Sequence, residues 1–438
     1  MIRAHLLAAM LAFTASTTAA DPLPDPVAHF PAVDMDEVRL GQLLFYDRIL
    51  SGNKTVSCAT CHHPDFGTSD GLSLGLGDGG HGLGANRKFD PENRPEQRIP
   101  RNSPALFNLG ASEFTRFFHD GRLEQDATRP SGIRTPLGAD MEVGFASALS
   151  AQSMFPVLSP DEMAGHYSEN DVAQAVRQGL LTGPGGAWSI LSDRVEAIPD
   201  YRTAFDQVIG ERPVHFTDIA NVIAAFIAFE WRADDSPFDR FLKDNTALSV
   251  PAARGMAQFY GDAGCSTCHS GLFQTDHDFH AIAMPQIGPG KAARFERHSR
   301  DTGRLRVTGN PEDAYRFRTP SLRNVALTAP YGHAGSYPDL GSVIRHHLNP
   351  VAGLHGYDLT TAVLPDLPGA DDLAVLSDPG EVAQIEAANT LAPRTMTDQQ
   401  VSDLIAFLHA LSDEISLKGR LGVPATVPSG LPVDGQGS

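Results

Sequence analysis

The sequence predicts a mainly α-helical protein made of two similar domains with long loop insertions, and three observations indicate this fold class. Apolar residues recur at helical spacing, segments with strand character are sparse and short, and a helix followed by one short motif occurs twice. The 438 residues are enough for two or three domains, each with its own hydrophobic core. The formal net charge of −19 argues against a nucleic-acid backbone or an anionic membrane surface as the main partner.

A secretory signal peptide is predicted over residues 1–20. Arg3 and His5 precede the apolar run Leu6–Phe13, and small residues lead to a cleavage site after Ala20. The most apolar later run, Ile219–Phe229, contains an asparagine and is too short to span a bilayer. We therefore expect an exported, periplasmic protein without a membrane span.

Two helices are predicted in each half of the remaining chain. Leu40–Tyr46 and Arg254–Tyr260 carry apolar residues at helical spacing just before the repeated motif. Ile219–Phe229 and Val401–Leu411 follow the two motifs at a distance, and each contains an Ala-Phe pair. Each half is thus predicted to consist of a helix, a motif loop, insertions and a closing helix.

The repeated motif contains every cysteine of the chain. Residues 58–62 and 265–269 both have the pattern C-x-x-C-H, which is the attachment signature of c-type haem. Two thiols at this spacing can each form a thioether with a haem vinyl group, while the adjacent histidine ligates the iron. A zinc site would not require a histidine directly after each cysteine pair. The predicted haem-binding residues are Cys58, Cys61, His62, Cys265, Cys268 and His269.

This order of elements is the plan of a cytochrome c domain, repeated twice. We predict an N-terminal cytochrome c-like domain at residues 21–240 and a C-terminal one at residues 241–416, each holding one covalently bound c-type haem. Residues 417–438 are rich in glycine, proline and serine and are predicted to form a flexible tail.

Further motifs resemble those of the bacterial di-haem cytochrome c peroxidases, a family that includes the MauG enzymes. They are RNSP at residues 101–104, DGR at residues 120–122 and FRTPSLRNVALTAPY at residues 317–331, in the family's order. The resemblance covers residues 33–411. It implies that the haem of the N-terminal domain is peroxidatic and that the haem of the C-terminal domain transfers electrons.

The resemblance also implies an acid–base group at the peroxidatic haem. A peroxidase needs a group that moves a proton between the two peroxide oxygens as the O–O bond breaks. The family has this acid in a Pro-x-Glu-Met stretch, which Pro160–Met163 matches, so Glu162 is expected to be the catalytic acid and base. Gln152 and Pro156 match the glutamine and proline that line the pocket in the family.

His347 is expected to be the second axial ligand of the C-terminal haem, because it aligns with the family's ligand when counted from Thr-Ala-Pro. Typical members have methionine there, and MauG has tyrosine. A histidine would form a bis-histidine haem with His269, whose reduction potential is lower than with a methionine ligand. His346, one residue earlier, and Met284 are the alternatives that remain open.

A calcium ion between the haem domains is also implied by the resemblance. The matching positions are Asn102, through its side chain, and Thr328 and Pro330, through their backbone carbonyls. Waters would complete an oxygen shell of the kind that calcium accepts.

One position departs from the family pattern. The family commonly has tryptophan before Asp-Gly-Arg, between the two haems, whereas this chain has His119. An imidazole is harder to oxidise than an indole. His119 therefore puts in doubt a high-valent oxidation state shared by the two haems, as in MauG. The insertions at residues 123–151 and 350–394 are longer than usual in the family, and the sequence assigns no role to either.

Two classes of function follow. The first is a periplasmic enzyme that reduces hydrogen peroxide to water with electrons from a small cytochrome c or copper protein, or a variant that oxidises residues of a partner protein. The second is a plain electron carrier with two six-coordinate haems. Glu162 favours the enzyme, because a carrier has no use for a proton donor in a closed haem pocket. The donor and the oligomeric state stay open, although homodimers are common in the family.

Overall fold

The computed structural model describes residues 22–291 and 298–435, so the predicted signal peptide at residues 1–20 lies outside the described residues. The first helices are α1 (Met35–Tyr46), α2 (Cys58–Cys61), α3 (Ala148–Ser153), α4 (Asp171–Arg177), α5 (Ala187–Glu196), α6 (Pro199–Ile209) and α7 (Phe216–Glu230). They are followed by α8 (Pro237–Asp244), α9 (Val250–Phe259), α10 (Leu305–Thr308), α11 (Leu340–Leu348), α12 (Pro350–His355), α13 (Pro379–Ala388), α14 (Asp398–His409) and α15 (Glu414–Lys418). Among these described residues, no helix is both long and apolar enough to cross a bilayer.

The strands are two or three residues long and pair antiparallel. The pairings are β1 (Gly80–His81) with β2 (Lys88–Phe89), β4 (Leu123–Gln125) with both β3 (Arg116–Phe117) and β5 (Ile133–Arg134), and β6 (Phe279–His280) with β7 (Phe317–Arg318). Strands β4 and β5 belong to the insertion at residues 123–151. The mainly helical class predicted from the sequence is confirmed.

Helices α1 and α7 pack together through a contact that only glycine allows. A Cβ atom at Gly41 would lie 1.8 Å from the carbonyl oxygen of Val222, so the absence of a side chain lets the two backbones approach. Beside this contact, the rings of Phe45 and Phe226 pack with centroids 5.4 Å apart. The first predicted helix and closing helix therefore form the centre of the N-terminal half.

The same arrangement occurs in the second half, between α9 and α14. A Cβ atom at Gly255 would lie 1.9 Å from the carbonyl oxygen of Asp403. The rings of Phe259 and Phe407 pack beside it with centroids 5.2 Å apart. Both halves thus use a glycine on the first helix and a phenylalanine on the closing helix at the crossing.

Helix α8 spans the predicted domain boundary between residues 240 and 241. Its Phe238 is fully buried and packs against Phe407 of α14, with ring centroids 5.2 Å apart. Helix α8 therefore packs in the core of the C-terminal half.

The insertion at residues 350–394 crosses back onto the N-terminal half. Asp372 accepts two hydrogen bonds from the Arg98 guanidinium, at 2.8 and 3.0 Å. The backbone nitrogen of Ser73 donates to the carbonyl of Val363 at 2.8 Å, and the nitrogen of Val363 donates to the Ser73 hydroxyl at 2.9 Å. The insertion thereby holds the start of the segment directly before β1, residues 71–79, which contains four glycines and is called the glycine-rich loop below.

Residues 419–435 of the predicted tail make contacts with the N-terminal half. They run back over the N-terminal half, where the Glu230 carboxylate accepts a hydrogen bond from the backbone nitrogen of Leu421 at 2.7 Å. Val427 and Val433 are buried in the N-terminal core. Composition gave no sign of these contacts, because the groups that the tail meets belong to a distant part of the chain.

Candidate haem and active site

The first C-x-x-C-H motif lies on α2. The thiols of Cys58 and Cys61 are free, and burial raises the pKa of both to about 12. At His62, Nδ1 lies 2.9 Å from the carbonyl oxygen of Thr68. A carbonyl only accepts, so Nδ1 carries the proton and Nε2 keeps its lone pair for a metal. Burial also lowers the pKa of His62, which favours the neutral form that binds a metal.

The second motif repeats this arrangement. Cys265 and Cys268 are free, and Nδ1 of His269 lies 3.1 Å from the carbonyl oxygen of Gln274, which again leaves Nε2 unprotonated. Each motif therefore offers two thiols and one imidazole lone pair. This donor set fits a covalently bound c-type haem.

His347 of α11 forms a pair with His269, with ring centroids 6.5 Å apart. Its Nδ1 lies 2.8 Å from the carbonyl oxygen of Val343, so its Nε2 is also free of a proton. Two imidazoles that bind one metal from opposite sides, with metal–nitrogen bonds of about 2 Å, have ring centres roughly 6 to 6.5 Å apart. The spacing between the two rings therefore suits a shared iron.

The two alternative ligands are engaged elsewhere. Nε2 of His346 donates to the carbonyl of Ile282 at 2.8 Å, and its Nδ1 accepts from the Tyr337 hydroxyl at 2.8 Å, so both ring nitrogens are occupied. Met284 packs against Gly332, where an added Cβ would lie 3.0 Å from its Sδ. Of the three candidates, the geometry favours His347.

The segment that carries Glu162 forms a π-helical turn, Pro160–Ala164. The glycine-rich loop packs directly on this turn, because a Cβ at Gly77 would lie 2.1 Å from the carbonyl oxygen of Asp161. The next residue, Asp78, donates its backbone N–H to the carbonyl of Glu162 at 2.9 Å. Single π-helical turns are frequent at functional sites. The loop therefore fixes the backbone of the predicted acid.

Burial raises the pKa of Glu162, and the positive charges of Lys291 and Arg122 only partly offset this rise. A carboxyl group with a raised pKa keeps its proton closer to neutral pH than a free glutamate does. Proton donors in active sites have this property.

Gln152 and Pro156 lie just before the π-helical turn. Gln152 belongs to α3, and Pro156 begins a 3₁₀ turn, Pro156–Leu158, that packs against the π-helical turn. Oε1 of Gln152 is buried and has no hydrogen-bond partner in the described part of the chain. Leaving such an atom unpaired costs about 1–3 kcal/mol, so it is a ready acceptor for a bound molecule.

A buried ion network joins the two halves, and sequence reasoning missed its centre. Arg101 donates to both carboxylate oxygens of Asp301, at 2.7 and 2.8 Å, and to Asp120 at 2.7 Å. Nε2 of His119 lies 3.0 Å from the carbonyl oxygen of Asn102, and burial with the nearby Arg101 charge lowers the pKa of His119 to about 4. His119 is therefore a neutral, hydrogen-bonded side chain. The RNSP motif pointed to Arg101, but no local signal marked Asp301 as its partner.

The predicted calcium ligands are oxygen donors without charge. Asn102 donates its Nδ2 to the carbonyl of Leu72 at 2.8 Å, which leaves its Oδ1 as an acceptor. Thr328 and Pro330 follow a turn that packs on Gly67, where an added Cβ would lie 2.5 Å from the carbonyl oxygen of Leu327. Amide and carbonyl oxygens of this kind are suitable calcium ligands.

The chain is similar to proteins of one family. The profile of the di-haem cytochrome c peroxidases matches residues 35–247. The chain is 30% identical to methylamine utilization protein MauG of Methylorubrum extorquens, over 74% of this chain and 72% of that protein. It is also 30% identical to cytochrome c551 peroxidase of Pseudomonas aeruginosa, over 74% of this chain and 75% of that protein. The structure of the diheme peroxidase BthA from Burkholderia thailandensis has the same fold, with a TM-score of 0.60, 20% identity and 94% of each chain covered.

Proposed function

The chain belongs to the di-haem cytochrome c peroxidase family and is an oxidoreductase, and on this premise we propose that it reduces hydrogen peroxide to water in the periplasm. Electrons from a small cytochrome c or copper protein would enter through a haem held by Cys265, Cys268 and His269 and would reach a haem held by Cys58, Cys61 and His62. One peroxide, two electrons and two protons give two water molecules.

The difference between the two motif histidines carries this proposal. His269 is paired with His347 at a ring distance of 6.5 Å. Within residues 22–291 and 298–435, His62 makes no such ring contact with another imidazole. A haem between two imidazoles suits electron transfer, whereas a haem with one histidine ligand keeps a position for peroxide. A plain electron carrier would not need this asymmetry.

A haem held by Cys58, Cys61 and His62 would supply an iron site for peroxide and the electrons needed to break the O–O bond. The side chains of the chain handle the protons. The Glu162 carboxylate accepts the proton of one peroxide oxygen and its carboxyl form donates it to the other, which leaves as water. Oε1 of Gln152 accepts a hydrogen bond from the peroxide and orients it. Pro156 fixes the turn between these two side chains.

The remaining assignments complete the proposal. The proposed domains are residues 21–240 and residues 241–416, with α8 at their boundary packed in the core of the second domain. His347 would be the second histidine ligand of the C-terminal haem, and a proposed signal peptide at residues 1–20 would direct export. The proposed calcium ligands are Asn102, Thr328 and Pro330, and the proposed haem-attachment residues of the C-terminal domain are Cys265, Cys268 and His269.

Oxidation of a partner protein is the second candidate function. The chain is as identical to MauG of M. extorquens as to the P. aeruginosa peroxidase, at 30% in both cases. Against it stands His119, which is harder to oxidise than the tryptophan common at that position and is already hydrogen-bonded. Peroxide reduction is therefore the function that the site supports best.

Optical and electron paramagnetic resonance spectra test the proposal. They are recorded on the purified di-haem protein, oxidised and half-reduced, before and after addition of one equivalent of peroxide. We expect a high-spin haem that reacts rapidly and slows about 10²- to 10⁴-fold in Glu162→Gln. Glu211→Gln, at an exposed position, is the matched control and should react like the unchanged protein. Two low-spin haems that are inert to peroxide in both redox states would contradict the proposal.

A further inference from the structure

Asp434 places a buried carboxylate against the first haem motif. The hydroxyls of Ser57 and Thr60 both donate to its Oδ2, at 2.9 and 2.5 Å. Arg48 donates to its Oδ1 at 2.6 Å. The Asp434 side chain is 6% exposed and that of Arg48 is 25% exposed, so this ion pair is largely shielded from solvent. The carboxylate thus accepts hydrogen bonds from the residue directly before Cys58 and from the residue directly before Cys61.

The tail on both sides of Asp434 is fixed independently of this ion pair. Ser429 donates its hydroxyl to Asp47 at 2.7 Å. Gly435 lies against His63, where an added Cβ would be 2.7 Å from the ring Nε2. The backbone therefore holds the Asp434 carboxylate in place through packing as well as through charge.

The Asp434 carboxylate lies within the first haem motif. Thr60, one of its two hydroxyl partners, stands between Cys58 and Cys61 in the chain, so the carboxylate is hydrogen-bonded to the segment that carries both thiols. A haem attached to these thiols would lie near the same negative charge. Reduction of a haem adds one electron, so a nearby buried carboxylate stabilises the oxidised state relative to the reduced state.

We propose that Asp434 is a positioning residue that lowers the reduction potential of the first haem and ties the C-terminal tail to the loop of that haem. The inference rests on the proposed haem attachment at Cys58, Cys61 and His62. It assigns to the tail a role in the electron balance between the two haems, because Asp434 bonds to Ser57 and Thr60 of the first haem motif.

A redox titration of the holoprotein tests this role, with the two haems followed separately in optical and electron paramagnetic resonance spectra. Asp434→Asn should shift the midpoint potential of the first haem upwards and leave that of the second haem unchanged. Arg48→Gln removes the compensating positive charge and should shift the first haem downwards. Ser429→Ala removes a tail contact without a change of charge and should leave both potentials unchanged. Asp434→Glu keeps the charge and should keep the potential of the first haem.

Opposite shifts in Asp434→Asn and Arg48→Gln support the proposal, because loosened packing would not reverse the sign. An unchanged potential in Asp434→Asn overturns it, and so do shifts of the same sign in both variants. An equal shift in Ser429→Ala overturns it as well, because the tail would then act through packing alone. The titration requires no turnover, so a protein that failed to reduce peroxide would still report on Asp434. Absence of haem at Cys58 would instead overturn the proposed function together with this inference.

Discussion

Replacing Gly77 by alanine should misplace Glu162 although the glutamate itself is unchanged. The added Cβ would lie 2.1 Å from the carbonyl oxygen of Asp161 and 2.5 Å from that of Glu162, where ordinary contact is 3.4–4 Å. Both obstacles are backbone atoms, so the π-helical turn or the loop must move by about 1 Å or more, which costs about 1–3 kcal/mol of folding free energy. A displacement of about 1 Å at a catalytic group lowers the rate about 100-fold.

Stopped-flow measurement of the reaction with peroxide tests this prediction, together with denaturant unfolding. Gly380→Ala on α13 is the control, since that position is exposed and its nearest neighbour is the exposed Asp378 side chain, at 3.2 Å, rather than backbone. The alanine should add little to the loss already present in Glu162→Gln, because it acts through the same carboxyl group. A folded Gly77→Ala protein that reacts at the unchanged rate would refute the idea that the loop positions the acid.

Three further predictions concern the ion network and the second haem. Arg101→Met leaves Asp301 buried without its arginine partner and leaves Asp120 with Arg122 alone, and denaturant titration should show a loss of about 3–5 kcal/mol in the free energy of unfolding; a loss within error of zero would contradict it. Burial raises the pKa of Asp301, but the Arg101 charge outweighs burial and lowers it to about 2. The stabilisation by the Arg101–Asp301 ion pair is therefore complete above pH 3.8, the pKa of Asp301 in the unfolded chain, and is lost as the pH falls towards 2. The difference in free energy of unfolding between the wild type and Arg101→Met should shrink over this range. His347→Gly should convert the second haem from low-spin to high-spin, and added imidazole should restore the low-spin spectrum; an unchanged spectrum would exclude His347 as ligand.

The helices and the haem motifs could be predicted from the sequence because each depends on residues that are close together in the chain. Helical periodicity identified α1 and α9, and the structure adds that Gly41 and Gly255 make equivalent contacts there. Counting from Thr-Ala-Pro pointed to His347, and the structure supplies the reason to prefer it, since both ring nitrogens of His346 are occupied.

Contacts between distant segments could not be predicted in this way. Arg101 and Asp301 are 200 positions apart, and neither position has a local pattern that names the other. The composition of residues 419–435 is typical of flexible segments, yet Val427 is buried and Asp434 is hydrogen-bonded. The energies of such contacts depend on which surfaces meet after the helices have packed. Composition and periodicity do not predict which distant segments will meet.

The contact between Ser57 and Asp434 has a consequence for the order of folding. The two residues are 377 positions apart. Ribosomes add about 5–20 residues per second, so Asp434 is synthesised roughly 20 to 75 s after Ser57. During that interval the first C-x-x-C-H loop lacks the carboxylate that later covers its hydroxyls. The N-terminal half therefore reaches its final form only after the C-terminal half has been made, and Ser57 and Thr60 lack their carboxylate partner until then.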